Sequence, residues 1–283
     1  MKRILAGFVS RPSTVIALAI IALMVFIAIF APYLAPYAPE NQPLDGLSDD
    51  GAPLPPSAHY WLGTDTLGRD LLSRLLFGAR TSLLIGLVSN GVAVVIGMAV
   101  GIIAGYIGGW FGNLLMRSTD LMMAFPALLL AIVLAALLHP SIWIVALVIA
   151  LVNWVQVARV VYTETRGLVV RDFIVAEESL GASHLRIVWK HIAPHLLPTA
   201  IVWGTLGIAT TVLLEATLSF LGVGVQPPQP SWGNIIYESQ SYFQSAPWLV
   251  FVPGVIILAT ALSFNIVGDV LRDLLDPTQR GKG

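Results

Sequence analysis

Six stretches of this chain are apolar for about the length a helix needs to cross a bilayer, and no other feature limits the fold so strongly. They run Val15–Leu34, Ser82–Tyr106, Leu114–Leu138, Ile142–Val161, Thr199–Leu221 and Leu249–Val267. Twenty residues at the helical rise span about 30 Å, the thickness of the hydrocarbon core. Inside that core every backbone N–H and C=O must find a partner within the segment, which favours helices for runs of this length. Composition agrees: 57% of the 283 residues are hydrophobic and 11% charged, against roughly a quarter charged in a soluble domain. Too few polar side chains remain to cover a soluble surface, so lipid must cover the rest. The expected fold is an all-α, multi-pass membrane protein with six transmembrane helices.

Lys2, Arg3 and Arg11 before the first run superficially resemble a secretory signal. A signal's apolar stretch is about 7–15 residues long and ends in small residues, whereas this one is longer and leads into Pro32, Pro36 and Pro39. It is read as a retained first span. Between the third and fourth runs only His139-Pro140-Ser141 intervenes, a tight turn at the bilayer surface. Six spans put both ends on one side. The positive-inside bias makes that side cytoplasmic, because of the fifteen Lys and Arg only Arg69, Arg74 and Arg80 then fall outside. The chain divides into a cytoplasmic N-terminus (1–14), a first span (15–34), an external loop (35–81), a core of five spans (82–270) and a cytoplasmic tail (271–283).

The loops differ in character. Residues 35–81 open with a proline-rich tract and continue as Gly68-Arg69-Asp70-Leu71-Leu72-Ser73-Arg74-Leu75-Leu76. Leucines at helical spacing predict an amphipathic helix lying at the interface. In the external loop 222–248, Ser231 is a plausible N-cap for a short surface helix through Phe243. Residues 162–198 are too polar to cross, and two short helices broken at Gly181, the second ending at Pro194, fit them. Zero cysteines exclude disulfides, thiolate metal sites and a cysteine nucleophile. A net charge of −1 with no basic block gives no reason to expect nucleic acid. No G-x-x-x-x-G-K-[ST] occurs, so the chain cannot cradle ATP phosphates through a P-loop.

Ala176-Glu177-Glu178-Ser179-Leu180-Gly181-Ala182-Ser183, with Ile187 and His191-Ile192-Ala193-Pro194, resembles the EAA loop of binding-protein-dependent ABC importers. Glu177 stands where that family more often has a second alanine. The segment Trp61 to Arg80, Glu215-Ala216-Thr217-Leu218-Ser219-Phe220-Leu221-Gly222, Pro227-Pro228-Gln229-Pro230-Ser231-Trp232-Gly233 and the tail Asn265 to Pro277 are similar, in the same order, to the C-type permeases of dipeptide, oligopeptide and nickel importers. The resemblance implies a non-catalytic permease subunit in a bacterial or archaeal inner membrane. It implies a homologous B-type permease, one or two ATPase subunits carrying ATP and Mg, and an extracytoplasmic solute-binding protein as partners, with no cofactor or metal on this chain. Ala176, Glu177, Leu180, Gly181, Ala182, His191 and Pro194 would then meet the ATPase. Peptide is the expected substrate, with nickel complexes, glutathione and oligosaccharides as alternatives.

Several residues carry two readings. Asp65, Arg69, Asp70, Pro227, Pro228 and Trp232 are candidates for docking of the binding protein or an external gate, while Trp232 could instead anchor the chain at headgroup level. Gly97, Gly101, Gly105 and Gly109 recur every four residues and suit either internal packing or a heterodimer seam. Glu215, deep in the fifth run, reads as a hydrogen-bonded strut or pathway acceptor, or as a proton carrier in a secondary transporter. Arg117 and Asp120 are spaced for a local pair. His191 and His195 lie four apart, a spacing that suits a metal, yet Pro194 between them favours surface exposure or an ATPase contact. Asp269, Arg272, Asp273 and Asp276 form an alternating-charge turn with a fixed contact. Ser219 and Glu215 have no histidine or lysine beside them, which argues against an intramembrane hydrolase.

Overall fold

The structure, a computed structural model, describes residues 11–138 and 141–275. The expected features at Lys2, Arg3, His139, Pro140, Asp276, Pro277, Arg280 and Lys282 lie outside these residues. Helix α1 (Pro12–Leu34) begins with proline, whose missing N–H is one that a helix start leaves unpaired anyway. Helix α2 (Leu71–Ile107) is capped by Asp70, which accepts from the Ser73 N–H at 2.8 Å and the Ser73 hydroxyl at 2.6 Å. Gly108 and Gly109, both at positive φ, then reverse the chain into α3 (Gly109–Met123). Helices α4 (Ala127–Leu137), α5 (Ile142–Val169), α6 (Asp172–Ser179) and α7 (His184–Ile187) follow. A π turn (Val188–Ile192) leads into α8 (Ala193–Phe220), then come α9 (Trp232–Ser239) and α10 (Trp248–Leu275).

Three expectations give way. The amphipathic helix after Gly68 is not a separate interfacial element: it is the first part of α2, and Leu71, Arg74 and Leu75 are buried against this chain's own helices. No proline interrupts residues 71–107, so the interfacial helix and the second span form one rod of about 55 Å. The third run is not straight. α3 and α4 meet at 87° because the residue before Pro126 is pushed out of helical conformation. Nor does the helix after Gly181 end at Pro194, since α7, the π turn and α8 form one apolar helix, His184–Phe220. The Ala193 N–H reaches back to the Val188 carbonyl, and this wider turn lets the proline ring enter without the clash it makes in a regular helix.

Helices α1, α2, α5, His184–Phe220 and α10 are each long and apolar enough to cross a membrane, and the bent α3–α4 pair makes a sixth crossing if it is one span. Arg11, at the start of α1, pairs with Asp273, near the end of α10, at 3.2 Å. Those two helix ends therefore lie on one face, here the terminal face, and an even number of crossings is required. The bent pair supplies it. Arg117 does not partner Asp120; that carboxylate is taken by Arg159 of α5, across the helix interface.

The α2–α5 seam organises the packing. A Cβ on Gly97 would meet Val157 at 2.6 Å, one on Gly101 would meet Val161 and the Ala158 carbonyl at 2.7 Å, and one on Gly105 would meet Thr165 at 2.6 Å. Three of the four glycines thus serve internal packing. Gly101→Leu should therefore lower stability by about 1–3 kcal/mol, the usual cost of overpacking, read as an earlier loss of the monodisperse peak on heating in detergent. Gly254→Ala, where nothing lies within 4 Å of an added Cβ, should cause no such loss. Equal stability of the two variants would contradict this seam.

Candidate functional site

The polar and apolar features unexplained by membrane crossing gather at the two ends of the bundle. On the terminal face, α6 is anchored by Ile174 and the following helix by Ile187, Ile192 and Leu196, all buried together with Val157 and Val161 of α5. Between them, Gly181 closes α6. Its N–H bonds to the Glu178 carbonyl at 2.9 Å, that of Ala182 bonds to the Glu177 carbonyl at 3.0 Å, and Gly181 has φ +81°. This is the Schellman arrangement, which satisfies the last carbonyls of a helix and requires a left-handed residue at that position. Glu177 points inward, 3.2 Å from His191 Nε2, so the residue that departs from the family pattern joins α6 to the π turn. His195 Nδ1 lies 2.6 Å from the His191 carbonyl, and its ring stacks on Phe173 at 5.4 Å. His191 is half-buried by these contacts, while His195 is exposed. Ala176, Gly181 and Pro194 are exposed, as are Val170, Leu180, Leu185 and Trp189, each more than two-thirds exposed. Among the described residues nothing covers this apolar knob.

On the opposite face, residues expected at a docking surface are buried. Asp65 Oδ2 accepts from Arg69 Nε and Arg74 Nη1, each at 2.7 Å. Glu238 Oε2 accepts from Arg69 Nη2 at 2.5 Å and pairs with Arg74 Nη1 at 2.9 Å. Asn234 Oδ1 accepts from Arg74 Nη2 at 3.2 Å. Burial pushes the Glu238 carboxyl up to about 7 against the pull of Arg69, with Asp65 adding to the rise. Asp65 also accepts from the N–H groups of Leu67 and Arg69 at 2.9 Å, so the turn leading into α2 is wound around it. Asp70 is the α2 cap. Asp65 and Arg69, with Arg74 and Glu238, therefore form a structural clasp between this turn and α9, and Asp65, Arg69 and Asp70 present no exposed surface for docking.

Trp232 is buried completely, and its indole N–H donates to the Leu75 carbonyl at 3.2 Å. It is neither a docking platform nor a headgroup anchor. Ser231 does cap α9, accepting from the Asn234 N–H at 3.2 Å. Pro227 and Pro228 are exposed, as are Leu44, Trp61 and Leu67 of the preceding loop. Glu215 lies in the last two turns of α8 and is completely buried. Its two oxygens accept from the hydroxyls of Ser82 and Ser219, each at 2.8 Å. Ser219 in turn accepts from the Val225 N–H at 3.0 Å, and Ser82 from the Trp232 N–H at 3.3 Å. Glu215 thus joins α2, α8, α9 and the loop between the last two, which is the strut reading.

Residues 97–281 match the family model described as binding-protein-dependent transport system inner membrane component, and residues 1–56 match the N-terminal TM domain of oligopeptide transport permease C. The chain belongs to the binding-protein-dependent transport permeases. Its relatives include a dipeptide transport system permease protein of Alkalihalophilus pseudofirmus, 42% identical over 94% of this chain and 86% of that protein. A di/tripeptide transport system permease protein of Pseudomonas aeruginosa is 39% identical over 98% and 92%. A glutathione transport system permease protein of Escherichia coli is 39% identical over 92% and 85%. The fold is shared with a chain of the inward-facing MetNI methionine ABC transporter, with a TM-score of 0.56, 19% identity, and coverage of 73% of this chain and 98% of that one. This permease is thus a multi-pass membrane subunit of the C type.

Reading the permease's sequence missed Glu238 and Asn234, whose partners lie 160 or more positions away, and no local spacing signals such a contact. Truncating Arg74 would leave Asp65 and Glu238 with one guanidinium between them. Removing one partner of a buried ion pair costs about 3–5 kcal/mol. Arg74→Ala should destabilise the permease by that order, and Glu238→Gln by less, in thermal unfolding followed by tryptophan fluorescence. An unchanged midpoint for Arg74→Ala would show that the clasp contributes nothing.

Proposed function

We propose that this permease is one half of a heterodimeric pore in an ATP-driven importer of di- or oligopeptides. Its partners in this reading are a homologous B-type permease, one or two ATPase subunits holding ATP and Mg, and a solute-binding protein that delivers the substrate. The chain itself performs no covalent chemistry. The observation that carries the reading is the apolar knob around Leu180, Leu185 and Trp189, rigidly mounted yet uncovered. Exposed apolar surface of this kind marks an interface. ATP binding would move the ATPases, the knob would follow, and the spans would reopen toward the other side. Peptide as substrate rests on the dipeptide and di/tripeptide relatives. Glutathione is the second reading, favoured by a relative of nearly equal similarity.

The terminal face is assigned to the cytoplasm of a bacterial or archaeal cell. Arg11, Arg166, Arg171, Arg186, Lys190 and Arg272 stand at or beside the helix ends of this face, and of the three basic residues at the other face two are bound in the clasp. Of the docking candidates Pro227 and Pro228 are exposed, and with Trp61 they form the external docking surface for the binding protein in this reading.

Two experiments test this reading. Single cysteines at Asp50 and Arg186, in a chain that has none, should label with an impermeant maleimide on spheroplasts at Asp50 only. Labelling at Arg186 alone would invert the topology. A second test concerns Gly181, where an added side chain meets open space but the backbone is left-handed, a conformation costing other residues about 1–2 kcal/mol. Gly181→Arg should abolish substrate-stimulated ATP hydrolysis in the reconstituted transporter while the permease still inserts. Gly181→Asn, which tolerates that conformation better, should retain part of it. Full coupling in Gly181→Arg would remove the knob from the mechanism.

A further inference from the structure

A cleft of about 700 Å³ opens where two helix ends meet the side of a third helix: Pro32 near the end of α1, Ile142 at the start of α5, and Phe77, Arg80 and Leu84 along α2. The segment leaving α1, ending at Glu40, closes its outer side. We propose that this cleft binds an intact phospholipid with a phosphoethanolamine headgroup. The apolar run of α2 begins at Ser82, so the cleft straddles the level where hydrocarbon gives way to headgroups. Phe77, Leu84, Ile142 and Pro32 form walls suited to acyl chains. Above them stand one cation and one anion. Arg80 and Glu40 are both exposed and, among the described residues, in no ion pair. Arg69 and Arg74, the other basic side chains of this face, are held in the clasp, which leaves Arg80 to take an outside anion.

The chemistry of the two charges selects the headgroup. A guanidinium grips phosphate through paired N–H donors, and a carboxylate accepts hydrogen bonds from a primary ammonium. A quaternary choline has no N–H to give, and a glycerol headgroup has no positive charge for Glu40. A free dipeptide has the same two charged ends but nothing to fill the apolar walls. The position of α1 argues in the same direction: most of its surface, including Ile29, Phe30 and Tyr33 at its outer end, is uncovered among the described residues, which leaves the cleft open to lipid from that side.

The test is native mass spectrometry of the assembled transporter, extracted from nanodiscs with equal parts of isotope-labelled phosphatidylethanolamine, phosphatidylcholine and phosphatidylglycerol. Phosphatidylethanolamine should be retained about tenfold over phosphatidylcholine, the equivalent of one charge-assisted hydrogen bond. Glu40→Gln should bring the two to parity while phosphate-dependent retention persists. Arg80→Gln should lose all three, and Arg80→Lys should restore part. Both positions are at the surface, so assembly of each variant is read in the same spectra. Equal retention of the three lipids by the parent would overturn the proposal, as would retention indifferent to Arg80→Gln. Displacement of the lipid by a millimolar dipeptide would assign the cleft to substrate and overturn it as well.

Discussion

Between helices surrounded by lipid there is little hydrophobic drive, because the acyl chains are as apolar as the side chains, and close van der Waals contact has to hold them together. In this permease that contact is densest between α2 and α5, where Gly97, Gly101 and Gly105 let α5 side chains reach the α2 backbone. α5 in turn carries Val157 and Val161, against which the anchors of the knob are packed. α2 carries Arg74 and Leu75, which hold the clasp and Trp232. The two functional ends are thus mounted on the two sides of one seam.

The polar interactions follow a consistent division. The ion pairs of the outer face are buried and interlocked, as a clasp of two arginines and two carboxylates, while the ion pairs of the terminal half are single contacts, exposed or half-buried. Buried ionic groups contribute little net stability relative to apolar packing, yet they are intolerant of misalignment. The clasp therefore specifies how the turn before α2 sits on α9 more than it strengthens the fold. Glu215 repeats this logic one layer deeper with hydroxyl donors in place of guanidinium.

Much of this was legible in the sequence. Run lengths gave the spans, Ser231 its cap, the glycine row its packing, and the segment around Gly181 the family. What escaped was whatever depended on a distant partner. A leucine stripe states only that one face is apolar, not whether headgroups or protein cover it, and here α9 and α10 do. Spacing put Asp120 within reach of Arg117, but Arg159 from another helix took it. Pro194 promised a helix end, and a π turn accommodated it instead. Trp232 looked like surface because its neighbours are prolines, though the pocket it fills is formed by residues about 150 positions earlier.

The unbroken length of α2 has a mechanical consequence. A helix without proline or a π turn resists bending, so a shift imposed at its terminal-face end cannot be absorbed along the way. It has to emerge at the far end as sliding or as tilt. For a rod of about 55 Å, a tilt of about 5° carries one end roughly 5 Å sideways relative to the other. Tyr106, one residue from the end of that rod, is hydrogen-bonded to His184 at the root of the knob at 2.8 Å. The clasp sits on its other end. The helix is in effect a lever arm.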